Sequence, residues 1–233
     1  GRHEIHATRP ELEGIAWASF AGGATLSLAT MPIGGGLGIA LTTTGIQSKL
    51  EDVLEKKSPA ELKAMNRKAL MAMGATEKEA DLFLANGAFS PTAQTAFVLN
   101  LRSLDGVANR GAFIRLAGQT STAEADAIFC VHTAALMSKL HNGEHPLDRL
   151  DLIGDFSICI AKDGTVIDAL QWDYAAWTPL ADQFTRSLKE RDRGKETSAC
   201  LVAITGQVSP RLRQELEARG FRVEDRLVPG PLK

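Results

Sequence analysis

The sequence predicts a mixed α+β and α/β fold with three regions: an N-terminal meander of short strands (1–47), a central multi-helix bundle (48–150) and a C-terminal ββαβαβ unit with a partly parallel sheet (151–233). Three observations predict it. Apolar residues alternate with small ones in the first region, helix-capping signals punctuate the second, and strand-like runs alternate with helical patterns in the third. If the N-terminal strands join the C-terminal sheet, all three regions form one domain.

The composition is that of a globular protein that can bury a sizeable core, with 44% hydrophobic and 23% charged residues in 233. A net charge of -2 speaks against a dedicated nucleic-acid binder, which normally carries a basic face. Cys130, Cys159 and Cys200 are far apart among apolar neighbours, which predicts buried thiols rather than a disulfide framework. Buried thiols favour a reducing compartment such as the cytoplasm, although the chain begins at Gly1 and an exported form stays open.

The N-terminal region is uncharged from residue 14 to residue 48. Pro32 and the run Gly34–Gly36 divide this stretch into apolar pieces that are short for a membrane-spanning helix, which needs about 20 apolar residues. Period-two alternation on both sides of Gly22–Gly23 favours short strands joined by a tight turn. Insertion of residues 15–46 into a membrane is the alternative, and it predicts that the protein partitions with liposomes.

The central region carries repeated signals for helix starts and stops. Four hydroxyl residues precede a glutamate at capping-box spacing, namely Ser48, Ser58, Thr76 and Ser121. Pro59 and Pro91 stand where a first helical residue is expected, and Gly74 and Gly87 where helices should end. The pattern predicts five or six helices joined by short loops in a compact bundle.

The C-terminal region begins with FSICIA and TVIDAL, which predict a hairpin turning at Asp163–Gly164. Helices capped by Thr178 and Ser209 then alternate with the strands ACLVAIT and FRVEDRL, so the last three strands should be parallel. Asp168 alternates with apolar residues and is expected on an apolar face. A carboxyl buried there would have a raised pKa and could serve as a general acid or base. A register shift or a position at the sheet edge would explain the same pattern equally well.

The stretch HNGEH contains His141, Glu144 and His145 at a spacing that can bind zinc on a helix. Asn142–Gly143 is a strong turn signal, so we expect the helix to end at Leu140 and the three side chains to diverge. These residues remain a weak candidate metal site, and no metal is predicted. The glycine-rich MPIGGGLGIAL fits neither a dinucleotide fingerprint nor a P-loop, so no cofactor is predicted either.

Ligands of open parallel sheets bind beyond the carboxyl ends of the strands. Polar and aromatic residues follow two such ends here, and they form the predicted ligand-binding crevice: Trp172, Asp173, Tyr174, Thr205, Gly206, Gln207 and Ser209. The aromatic side chains would form a stacking platform if exposed, or a hydrophobic plug if buried. Ser209 also has a purely structural interpretation as a helix cap.

These features favour a non-enzymatic binding or assembly protein with a protein partner or a second copy as its partner, and with a small-anion or partner site on the C-terminal unit. Nucleic acid is not an expected partner, and membrane association is not favoured. An enzyme or ligand sensor that uses the crevice is the alternative, and a zinc-dependent hydrolase at HNGEH is a third hypothesis. The charged run 186–196 is interpreted as a solvated helix end and loop.

Overall fold

The computed structural model describes residues 46–154, 156–191 and 199–227. The predicted N-terminal strands lie outside these ranges, and so does nearly all of the segment considered for membrane insertion. No helix in the described ranges combines the length and the hydropathy of a bilayer-spanning segment. Within them the fold is mixed, as predicted, with helices packed around a five-stranded sheet that contains parallel strand pairs.

The central region forms six helices. They are α1 (Ile46–Lys56), α2 (Pro59–Ala72), α3 (Glu77–Ala85), α4 (Pro91–Arg102), α5 (Arg110–Thr120) and α6 (Glu124–Asn142). Two predicted capping boxes are confirmed, because the side chains of Ser58 and Thr76 accept from the backbone of a glutamate that bonds back to each of them. Both predicted prolines occupy the first turn of their helices.

The other two predicted capping boxes are wrong. Ser48 lies inside α1, two residues after its first residue. Ahead of α6, the carboxylate of Asp126 accepts hydrogen bonds from the N–H groups of Thr122 and Ala123, at 2.8 and 2.9 Å, and caps the helix. Ser121 instead places its Oγ 3.6 Å from the Cys130 sulfur. A three-residue spacing also recurs within helices, so it does not by itself fix where a helix starts.

The main sheet has the order β1-β2-β3-β5-β7. Its strands are β1 (Leu147–Ile153), β2 (Phe156–Ala161), β3 (Val166–Leu170), β5 (Cys200–Ile204) and β7 (Phe221–Glu224). The predicted hairpin is confirmed by antiparallel pairing of β2 with β3, and β3, β5 and β7 are parallel as predicted. Strand β1 was not predicted, and it falls at the end of the region expected to be helical. A small parallel pair, β4 (Tyr174–Ala175) and β6 (Gln207–Val208), was also not predicted.

The sheet is covered on both faces, and alternation along the strands decides which side chain faces which layer. Cys159 and Ala161 of β2 face the six-helix bundle, whereas Ile158 and Ile160 face the opposite layer. That opposite layer consists of α7 (Pro179–Arg191) and α8 (Pro210–Ala218). These two helices are crossovers between parallel strands, so they begin near the carboxyl ends of the strands that precede them.

Candidate functional site

The structure brings the residues of the predicted crevice together at the carboxyl ends of β3 and β5. The N–H of Gly206 donates to the carbonyl of Trp172 at 2.8 Å, and the N–H of Gln207 donates to the carbonyl of Asp173 at 2.9 Å. The hydroxyl of Thr205 donates to the same Trp172 carbonyl at 3.1 Å. These groups therefore bond to one another across the two strand ends.

Gly206 makes this close approach feasible. A Cβ atom at this position would lie 2.1 Å from the carbonyl oxygen of Asp173 and 2.4 Å from that of Trp172, far inside van der Waals contact. Any side chain larger than hydrogen would push the two connections apart. Ligand binding by the crevice residues stays a prediction. The chain segments that follow β3 and β5 already contact each other, so a ligand would have to bind on top of them.

Ser209 is a helix cap in this structure. Its Oγ accepts from the N–H of Leu212 at 3.1 Å, and its own N–H donates to the carbonyl of Ala175 at 2.8 Å. The side chain lies at the start of α8 and is buried. It satisfies one of the free N–H groups of the first helical turn, that of Leu212, which is the structural role expected of a serine before a proline.

The three aromatic residues near the crevice differ in exposure. Trp177 is 8% exposed and packs into the core on the α7 side of the sheet, as a plug would. Trp172 is partly buried against that core, and Tyr174 is 56% exposed on β4. Only Tyr174 among the three therefore has the exposure that a stacking platform needs.

The residues of HNGEH have separate roles. Helix α6 continues to Asn142, two residues beyond the predicted end, and Gly143 follows as its cap. The ring Nδ1 of His141 accepts from the N–H of Leu147 at 3.1 Å, whereas the ring of His145 contacts Glu224 at 3.1 Å. Burial lowers the pKa of His141, which matches an acceptor role for its ring. Across the described ranges, no three His, Cys, Asp or Glu side chains are arranged to hold a metal ion.

A groove of about 410 Å³ lies between α7 and α8 on the outside of the molecule. We call it the arginine groove, and it is lined by Trp177, Thr178, Pro179, Asp182, Arg186, Arg211, Glu215 and Arg219. Thr178 caps α7, with its Oγ1 accepting from the N–H of Ala181 at 3.2 Å. The groove therefore includes the N-terminal end of a helix, where the helix dipole favours negative charge.

Arg219 is the most constrained side chain of the arginine groove. It donates to Asp182 of α7 at 2.9 Å and to Glu215 of its own helix, and its guanidinium lies 4.4 Å from the centre of the Trp177 ring. Hydrogen bonding to Glu215, followed by that to Asp182, raises the pKa of Arg219. Stacking on an aromatic face and paired hydrogen bonds fix the plane of a guanidinium, which prepares it for an oxyanion.

The positive charge of the groove exceeds the negative charge. Asp182 also accepts from Arg186 at 2.6 Å, so two arginines share one carboxylate. Burial opposes ionisation of Asp182, but the hydrogen bonds from Arg186 and Arg219 outweigh it and keep the pKa of Asp182 below its ordinary value. Arg211 forms no ion pair with any residue that the structure describes, and it is exposed at the start of α8. Three guanidinium groups thus face two carboxylates.

A sequence pattern indicates part of this groove, although residues 186–196 were interpreted only as a solvated helix end and loop. Asp182 and Arg186 are four residues apart on α7, and Arg211, Glu215 and Arg219, the residue that caps α8, are spaced by four, so each set lies on one helix face. The pattern predicts a charged stripe on each helix. It does not predict that the two stripes face each other, because that depends on how both helices pack on the sheet.

Asp168 lies on the inner side of the same two helices. It is 3% exposed, and its Oδ1 has no hydrogen-bond partner. It borders a cavity of about 10 Å³ that is otherwise lined by Thr185 and by apolar and aromatic side chains: Trp172, Ala181, Phe184, Leu188, Val202, Leu212 and Leu216. Burial raises the pKa of Asp168 to about 8, so the carboxyl is largely neutral at pH 7. The sequence predicted its apolar face and the direction of this shift.

His132 on α6 is a further titratable group that the sequence interpretation did not select. Burial lowers the pKa of His132, and the nearby carboxylate of Asp173 opposes that effect. His132 of the bundle therefore lies near the strand-end connection that contains Asp173. A histidine within an apolar helix face gives no sequence signal that distinguishes this position from ordinary core packing.

Comparisons of the chain with protein-family models, with curated proteins and with solved structures find no match.

Proposed function

We propose that this protein is a binding protein whose C-terminal α/β unit recognises an anionic group, a phosphate or a carboxylate, in the arginine groove. The observation that carries the proposal is the convergence of three guanidinium groups from two helices on one groove beside a helix N-terminus. The chain as a whole carries a net charge of -2, so this local excess of positive charge is not a reflection of overall composition.

Guanidinium chemistry supports an oxyanion as the ligand. A planar guanidinium offers parallel N–H donors that match two oxygens of a phosphate or carboxylate. Arg211 has no acidic partner among the described residues, and Arg186 shares its partner Asp182 with Arg219. A doubly charged anion could therefore contact Arg211 and Arg186 while Arg219 stays stacked on Trp177.

The two acids of the groove limit the affinity. Asp182 and Glu215 already occupy much of Arg219, so an incoming anion must compete with them and is repelled by them. We therefore expect weak to moderate binding of an isolated inorganic anion. A natural ligand would add contacts elsewhere, and apolar surface lies close by at Leu180, which is 39% exposed and follows Pro179 of the groove. This arrangement suits a partner or small molecule with an apolar part beside its anionic group.

The test is a calorimetric titration of the protein with sodium sulfate at constant ionic strength. The proposal expects saturable binding to the natural sequence and a loss of at least about tenfold in affinity in Arg211→Gln, since a charge-assisted bond contributes about 1.5–3 kcal/mol. The matched control is Arg149→Gln, which removes the same charge from a half-exposed side chain on β1 that pairs with Asp148 and does not line the groove. Equal losses in both variants, or no saturable binding, would contradict the proposal.

A further inference from the structure

The cavity beside Asp168 and the arginine groove lie on opposite sides of the same pair of helices. Adjacent residues point alternately to the two sides: Ala181 and Thr185 line the cavity, whereas their neighbours Asp182 and Arg186 line the groove. On α8 the cavity is lined by Leu212 and Leu216, and the groove by Arg211, Glu215 and Arg219. A single layer of helix therefore separates the buried carboxyl from the guanidinium groups.

We propose that the charge state of Asp168 regulates anion binding in the arginine groove, so that the ionised carboxylate weakens it. This inference rests on the proposed function and adds a regulator to that site. Asp168 has a buried Oδ1 without a hydrogen-bond partner, and the rest of the cavity offers one hydroxyl and otherwise apolar or aromatic walls. A negative charge formed there has little to neutralise it locally, and its field extends through the helix layer toward the groove.

The surrounding charges do not remove this effect. Among the residues that the structure describes, Asp168 is the one charged side chain that lines the cavity. On the outer side of α7 and α8, the groove carries Asp182, Arg186, Arg211, Glu215 and Arg219, and the Nζ of Lys189 lies over the Phe221 ring. From the sheet, the thiols of Cys159 and Cys200 lie on strands next to β3, and Asp168 is one cause of the raised pKa of Cys159. Burial places the pKa of Asp168 at about 8, within the range of the titration below.

The size of the effect follows from the thickness of a helix. Two unit charges about 10 Å apart, the diameter of a helix, interact by an amount that changes a binding constant by about twofold in bulk water and by more than tenfold at an effective dielectric constant near 20. Sulfate carries two negative charges, so these factors become about fourfold and more than about a hundredfold. Because the groove lies on the outside of the molecule, we expect about fivefold, near the lower value. By linkage, bound sulfate must raise the affinity of Asp168 for its proton by the same factor.

The experiment is a calorimetric titration with sodium sulfate at about pH 6.5 and about pH 9, on either side of the ionisation of Asp168. Sulfate keeps its charge over this range, so the ligand itself does not titrate. The natural sequence should bind sulfate about fivefold more weakly at the higher pH, and so should the Arg149→Gln control, which keeps Asp168. Asp168→Asn should show no such loss. Equal pH dependence with and without Asp168 would overturn the inference and leave the proposed function intact.

A second measurement needs no variant at position 168 and covers the case in which Asp168→Asn does not fold. Titrations of the natural sequence near pH 8 in two buffers with different ionisation heats give the number of protons taken up on sulfate binding. The inference expects net proton uptake, which should vanish at about pH 6, where Asp168 is already neutral. Sulfate binding without proton uptake would overturn it, and the absence of sulfate binding at every pH would overturn the proposed function as well.

Discussion

The two faces of the sheet differ in the chemistry of the side chains that cover them. On the bundle side, α3, α4, α5 and the intervening loop bring together Phe83, Phe89, Phe97 and Phe113, with ring centres 4.7–6.1 Å apart. On the α7/α8 side, a smaller apolar core surrounds Asp168, and the outer surface of the same helices carries the arginine groove. The first face buries aromatic area with favourable ring contacts, and the second accepts an energetic penalty at Asp168. A penalty of that kind is typical of layers that carry function.

The largest loss of stability is expected for a substitution in the aromatic core on the bundle side. Phe97 is fully buried and contacts three other phenylalanine rings, so Phe97→Ala should destabilise the fold by about 3–5 kcal/mol. Phe184→Ala on the α7 side removes a ring that is 8% exposed and lies 5.0 Å from the Phe156 ring centre, and it should cost about 3 kcal/mol, the lower end of that range. Urea unfolding of both variants measures the difference. An equal or larger loss in Phe184→Ala would show that the two cores contribute alike.

The next largest effect is a pH dependence of stability that Asp168 gives to the α7/α8 side. Its pKa in the folded state is raised to about 8, from an ordinary value near 3.8, so the folded state binds the proton more tightly than the unfolded chain. The contribution of the protonated Asp168 to the free energy of unfolding should therefore be complete below about pH 4. It should fall by up to about 1.4 kcal/mol per pH unit as the pH rises toward 8. Asp168→Asn should lose this slope. The check is urea unfolding from pH 5 to pH 8, and parallel curves for the two proteins would contradict the assignment.

The contact between the strand ends gives the third prediction. Gly206→Ala places a Cβ atom 2.1 Å from the Asp173 carbonyl, so it should destabilise the fold by about 1–3 kcal/mol. Gly87→Ala is the matched control, since a Cβ there meets nothing within 4 Å. Thermal unfolding compares the pair. If Gly206→Ala were as stable as the control, the two connections would not be in the contact described here.

The smallest effect concerns one helix cap in the bundle. Thr76→Ala removes the hydroxyl that accepts from the N–H of Glu79 at 3.2 Å, and it should cost about 1 kcal/mol. Thr120→Ala is a suitable control, because its hydroxyl bonds only to a carbonyl one turn earlier, that of Leu116, at the end of α5. Chemical unfolding distinguishes the two. An effect of Thr76→Ala no larger than that of the control would show that this cap does not stabilise the helix.

Local signals explain how much of the fold could be predicted. Ser58 with Pro59, Thr76, and the turn at Asp163–Gly164 fix their own elements through contacts within a few residues, and these predictions are confirmed. Strand β1 was missed because LDRLDLI mixes charged and apolar residues, and because it is held partly by the distant N–H and carbonyl of Ala108. Local sequence does not show such a partner.

The candidate site illustrates the same limit. The sequence places Asp168 on an apolar face and gathers the crevice residues at two strand ends, since both follow from strand period and topology. The arginine groove depends on the side chains of two helices separated along the chain by β5 and β6, and it forms only when both pack on the sheet. The ion pair between Asp182 and Arg219, 37 residues apart, is a product of that packing.

We propose that ligand binding belongs to the α7/α8 face and that the bundle face contributes more of the stability. The most direct test follows backbone amide chemical shifts by NMR during a sodium sulfate titration at constant ionic strength. We expect saturating amide shift changes at the first turn of α7 and along α8, and unchanged amide shifts in helices α2 to α6. Shifts of equal size in the bundle, or none at α7 and α8, would contradict it.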